Sequence, residues 1–121
     1  MFARKFWLLV ALSAASALTV PALSSAATWF VSPSGSDLNI CQSLLPCKSW
    51  NAAYQKALSG DTVSVAGGRY GPQELLSRPV TGVRFQVAAG QTATIDGRIL
   101  VRTHDITISG GDTLGFDDPD R

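Results

Sequence analysis

Histidine, cysteine and charge are scarce in this sequence. Of 121 residues only one is histidine, two are cysteine and 16% are charged. Beyond Arg4-Lys5, lysine and arginine occur singly rather than in clusters, so the basic footprint that selects nucleic acid or an anionic lipid surface is missing. With no histidine near them, Cys41 and Cys47 make a poor zinc site. The longest apolar run, Phe6 to Val20, falls short of the ~20 residues that span a bilayer. What remains, including 45% hydrophobic residues, is ordinary for a folded chain of one small domain.

The first 27 residues have the layout of a secretory signal peptide. Arg4 and Lys5 form a basic start, Phe6 to Val20 an apolar centre, and Pro21 to Ala27 a small-residue end. Cleavage is expected near Ala26 or Ala27, where Ser24 with Ala26, or Ser25 with Ala27, offers small side chains at alternate positions. An uncleaved membrane anchor is the alternative. Loss of Arg4 and Lys5 with the leader leaves eight basic against nine acidic residues, a net charge of −1. The expected location is extracellular, with no membrane association after cleavage. In that oxidising compartment Cys41 and Cys47, the only cysteines, are expected to form a disulfide, with metal binding as the alternative.

Along the mature chain, residues 28–60 form a first unit. Trp29, Phe30 and Val31 are β-formers that run into the turn cluster Ser32-Pro33-Ser34-Gly35-Ser36-Asp37. A loop from Leu38 to Lys48 follows, and Pro46 keeps helix out of it. Ser49 is a good N-cap for a helix over Trp50 to Ser59: Trp50, Ala53, Tyr54, Ala57 and Leu58 fall on one face, and Asn51, Gln55 and Lys56 take the other side. Gly60 stands where such a helix needs a residue at positive φ.

Residues 61–111 read as a repeat. Asp61 to Val65, Val83 to Val87 and Asp105 to Ser109 each alternate polar and apolar residues and end near glycine. Their inward pairs are Val63/Val65, Phe85/Val87 and Ile106/Ile108, spaced 22 and then 21 residues apart. Weaker strands at Leu75-Leu76, Ala93 to Ile95 and Ile99 to Val101 fill the intervals. This pattern predicts a mainly β fold, a parallel β-helix of two to three coils closed at its front by the amphipathic helix. A small antiparallel sandwich or meander is the alternative.

Three pieces carry a resemblance: Phe30-Val31-Ser32-Pro33-Ser34-Gly35-Ser36-Asp37; Pro46-Cys47-Lys48-Ser49-Trp50 leading into Ala53 and Ala57; and Gly60-Asp61-Thr62-Val63-Ser64-Val65 with Gly68-Arg69-Tyr70. Together they resemble the N-terminal region of bacterial secreted right-handed parallel β-helix proteins of the pectin-lyase-like superfamily. The resemblance implies an N-terminal part of a polysaccharide lyase or glycoside hydrolase, or else a non-enzymatic surface protein that binds glycans. In the enzymes of that superfamily the chemistry lies on middle coils, often with calcium, and no active-site residue carries over to this chain.

Candidate chemistry is accordingly thin, and no catalytic residue, metal ligand or cofactor is expected here. His104 beside Asp105 suggests a general base, but adjacent strand residues point to opposite faces, and a turn role fits better. Arg98 and Arg102 share one short coil and are the candidate contacts for an acidic sugar, a polysaccharide being the expected partner. Asp96-Gly97 is a turn signal. The stretch 112–121 holds four aspartates without calcium-loop spacing, and is expected to be disordered or an incomplete coil. Two to three coils with no closing cap point to a fragment of a longer, monomeric solenoid.

Overall fold

The structure, a computed structural model, describes residues 25–110 and 114–117. The expected leader up to Ser24 and the aspartates Asp112, Asp118 and Asp120 lie outside the described residues.

The chain is mainly β, and its sheets are parallel. In order, it forms β1 (Thr28–Val31), α1 (Trp50–Tyr54), β2 (Thr62–Val65), β3 (Gly68–Tyr70), β4 (Gln73–Leu75), β5 (Val83–Val87), β6 (Ala93–Asp96), β7 (Ile99–Val101), β8 (Ile106–Ser109) and β9 (Leu114–Asp117). Three sheets result, ordered β1-β2-β5-β8, β3-β6-β9 and β4-β7. Strands β2, β3 and β4 visit the three sheets in turn, and β5, β6 and β7 visit them again in the same order. Every pairing is parallel, which removes the antiparallel alternative for the described strands.

Alternation within each strand decides which residues are inside. Val63 and Val65 on β2, and Val83, Phe85 and Val87 on β5, are buried, while Arg84 and Gln86 between them are exposed. Val63 sits over Phe85 and Val65 over Val87, at the expected spacing of 22. The third step differs. Phe85 pairs with Ile108, 23 residues on, and Ile106 pairs with Val83. The expected alignment of Phe85 with Ile106 is corrected by two residues. A shift of two keeps the same face inward, so alternation alone cannot detect it. Asp105, at φ +55°, makes the backbone turn that sets this register, and its carbonyl accepts from the Gly82 N–H at 3.0 Å.

Two strands go beyond the expectation. β3 pairs with β6 and β9 pairs with β6 from the other side. β3 is a three-residue strand beginning at a glycine, and β9 lies in the segment to which the sequence assigned no strand. Short, glycine-containing strands carry too little alternation to be read in advance.

The segment before β2 packs onto this stack. Cys41 and Cys47 are joined, and both are fully buried. The bridged loop lies along the free side of β1: Phe30 N donates to the Cys41 carbonyl at 2.8 Å, Cys47 N to the Phe30 carbonyl at 2.9 Å and Ser32 N to the Cys47 carbonyl at 2.8 Å. The edge of β1 is thereby covered by its own chain. Gly35 lets this happen, since a Cβ there would come within 2.5 Å of the Cys47 carbonyl oxygen and 2.6 Å of that of Pro46.

α1 begins as expected, with the Ser49 hydroxyl accepting from Ala52 N at 3.1 Å. It ends five residues earlier than expected. The Leu58 N–H, which would extend the helix, donates instead to Asp61 Oδ2 at 2.8 Å, and the Arg78 guanidinium takes the Tyr54 and Ala57 carbonyls. Leu58 therefore leaves the apolar face and is 64% exposed. Gly60 takes φ +86°, as the sequence required. Nor is the opposite face of the helix wholly given to solvent: Asn51 Oδ1 accepts from Leu76 N at 3.0 Å, and Gln55 Nε2 donates to the Leu76 carbonyl at 3.3 Å.

The core is aromatic at its centre. Trp50 stacks on Phe85 with ring centroids 5.6 Å apart and meets Tyr70 edge-on at 5.9 Å, while Tyr54 lies 5.8 Å from Phe85.

Candidate functional site

Two shallow clefts flank the outer sides of β3, β4 and β7. The first, about 290 Å³, is lined by Pro72, Gln73, Glu74, Arg98 and Leu100. The second, about 230 Å³, lies between the turn cluster and β3 and shares Pro72 and Gln73 with the first. Gln73 is held by both of its side-chain ends: Oε1 accepts from Trp50 N at 2.9 Å, and Nε2 donates to the Gly71 carbonyl at 2.9 Å. It is a structural clamp between helix and strand.

Arg98 and Arg102, paired as candidates in the sequence, differ in the structure. Both are exposed. The Arg102 guanidinium is engaged with Glu74 in an ion pair, so its charge is already answered. Arg98 lines the first cleft, and among the described residues its guanidinium has no ion-pair partner. Arg69 is engaged on the neighbouring sheet with Asp96 and, at 2.7 Å, with Asp117. The Asp117 carboxylate in the aspartate-rich stretch thus has an arginine partner.

His104 and Asp105 are both exposed in the bend before β8, and no hydrogen bond joins them. The neighbouring Thr103 hydroxyl is the group that reaches the core, 2.7 Å from the Tyr54 hydroxyl. Among the described residues no cluster of three or more His, Cys, Asp or Glu side chains is placed to hold a metal ion. No described helix is long and apolar enough to cross a membrane. Of the aromatic residues that stack on sugars elsewhere, Trp50, Tyr54, Tyr70 and Phe85 are spent inside the core. Tyr70 shows this directly: burial pushes its phenol well above the ordinary value, and its hydroxyl donates to the Ala66 carbonyl at 2.6 Å.

The most constrained polar group lies elsewhere. Asp61 is the only buried charged residue among those described, 3% exposed. Burial would raise its pKa, but three donors outweigh it and hold the carboxyl below its usual value: Trp29 Nε1 at 3.0 Å, Leu58 N at 2.8 Å and Ala27 N at 2.8 Å. The sequence marked Asp61 only as the start of a strand. The signal was present as Gly60-Asp61 after a helix, a pair that turns the chain and then turns a carboxylate back on it.

Searches of protein-family models, curated proteins and solved structures found no match to this chain.

Proposed function

We propose that this chain is the export-directed N-terminal portion of a right-handed parallel β-helix protein that acts on polysaccharides, and that its own residues build the front of the scaffold rather than a reaction centre. The observation that carries this reading is a gradient of burial along the stack. Val63 and Phe85 are fully buried, and Ile108 after them only partly so. Leu75 is fully buried, whereas Val101, its partner, is 42% exposed; Ile95 is fully buried and Phe116, its partner, 56% exposed. At the front, the disulfide loop and α1 cover the stack. The apolar columns are thus closed on one side and offered on the other, as a coil waiting for the next one is. The resemblance of the Phe30–Tyr70 motifs to secreted pectin-lyase-like proteins supports the substrate class and the export.

The test compares this chain with the reading frame extended by further 20-to-25-residue repeats, on pectic, alginate and glycosaminoglycan substrates with calcium. Turnover by the extended protein and none by this chain is expected. Genuine turnover by this chain would refute the scaffold role. A second reading, a non-enzymatic glycan binder, has one observation in its favour, Arg98 lining its cleft with no ion-pair partner among the described residues. It predicts that an acidic oligosaccharide binds this chain and that Arg98→Ala weakens it roughly tenfold, the scale of one charge-assisted contact.

A further inference from the structure

Asp61 is a buried carboxylate satisfied by three hydrogen bonds. Among the described residues no lysine, arginine or histidine forms an ion pair with it. Its three donors are neutral and already favour the ionised carboxylate, so a positive charge on one of them would turn an existing hydrogen bond into a stronger, charge-assisted one. One of those donors is not fixed in character. The Ala27 nitrogen, 2.8 Å from Asp61 Oδ1, is an amide only while the Ala26–Ala27 bond is intact.

We propose that the chain is processed between Ala26 and Ala27, and that the α-ammonium so created at Ala27 is the ionic partner of Asp61. The proposal rests on export, and selects between the two cleavage points the sequence allows. Hydrolysis of the Ala26–Ala27 amide adds one water, releasing a carboxylate at Ala26 and an amine at Ala27 that is protonated at neutral pH. Ser24 and Ala26 supply the small side chains that such cleavage needs. Among the described residues Ala27 is also the first tied to the fold on both sides, since its carbonyl accepts from Thr62 N at 3.0 Å. Cleavage one bond later would remove both contacts and leave Asp61 with two donors. Ala27 and Asp61 also line a cleft of about 370 Å³, and cleavage would remove Ser25 and Ala26 from its wall and open it further to solvent.

The experiment expresses the full chain with its own leader in a secreting bacterial host. N-terminal sequencing and intact mass of the exported product are expected to show Ala27 as the first residue. Amine acylation of that product, read by peptide mass spectrometry with Lys48 and Lys56 as internal references, is expected to be about tenfold slower at the Ala27 amine in the folded protein than in urea. A tenfold slowing corresponds to a pKa raised by about one unit. An exported product beginning at Thr28 or elsewhere overturns the proposal and leaves export standing. A retained, unprocessed chain overturns both. An Ala27 amine that reacts equally fast folded and unfolded overturns the pairing. Asp61→Asn, where it folds, is expected to abolish the protection; where it does not, the folded-against-urea comparison decides alone.

Discussion

At the scale of single residues, Asp61 ties two parts of the chain that are distant in sequence: the start of β1, through Ala27 and the indole of Trp29, and the turn after α1, through Leu58. An amide in its place would turn one NH₂ group toward donors. Asp61→Asn is therefore expected to destabilise the fold by about 2–4 kcal/mol, read from a urea midpoint with unchanged slope. The same carboxylate predicts an acid limb. Because its folded pKa lies below the unfolded value of 3.8, the stability it contributes is full above that value and is lost as pH falls through the folded pKa. Thermal midpoints measured from pH 6 downward should fall below pH ~4, and the fall should shrink in Asp61→Asn. Phe85, against which Trp50 and Tyr54 both pack, offers the apolar counterpart, and Phe85→Ala should cost about 3–5 kcal/mol by the same measurement. The place of Phe85 inside was legible from alternation; the role of Asp61 was not, since a hydrogen-bonded carboxylate and a solvated turn residue look alike in sequence.

At the scale of elements, the disulfide loop and the short helix are held by different means. The loop is closed by a covalent bridge and a row of backbone hydrogen bonds to β1, with Asp37 Oδ1 accepting from Lys48 N at 2.8 Å and Ser49 N at 2.7 Å where the loop meets the helix. Burial works against the Asp37 carboxylate, and these hydrogen bonds from Ser49 and Lys48 prevail, keeping its pKa below the usual value. Replacing both cysteines by serine is expected to cost about 2–3 kcal/mol, seen as a lower thermal midpoint. Gly35→Ala should cost a similar ~2 kcal/mol or more, because the close approach to Cys47 and Pro46 is made by backbone that has nowhere to go. The start of the helix was legible from Ser49, but its end was not. The sequence periodicity continues to Leu58, and only the competing claims of Asp61 and Arg78 on its backbone groups stop it at Tyr54.

At the scale of the whole molecule, the repeat was legible where strands had two inward residues flanked by polar ones, and illegible at β3, with one inward residue, and at β9, where Leu114 and Phe116 are separated by a glycine and fall in an aspartate-rich stretch. The strand assignments that rest on Val63, Val65, Phe85 and Val87 are the firmest for that reason. The two sides of the four-stranded sheet are also chemically unlike. Beyond β1 lies Cys47, stitched in parallel to Val31; beyond β8 no strand is paired among the described residues. In the language of assembly, this sheet is monovalent among the described residues. A unit with two open edges can add copies without limit and make filaments, but a unit with one can meet only the same edge of a second copy. Self-association through this sheet should accordingly stop at a symmetric pair, and breaking the Cys47 flank should be what converts a closed dimer into an open polymer.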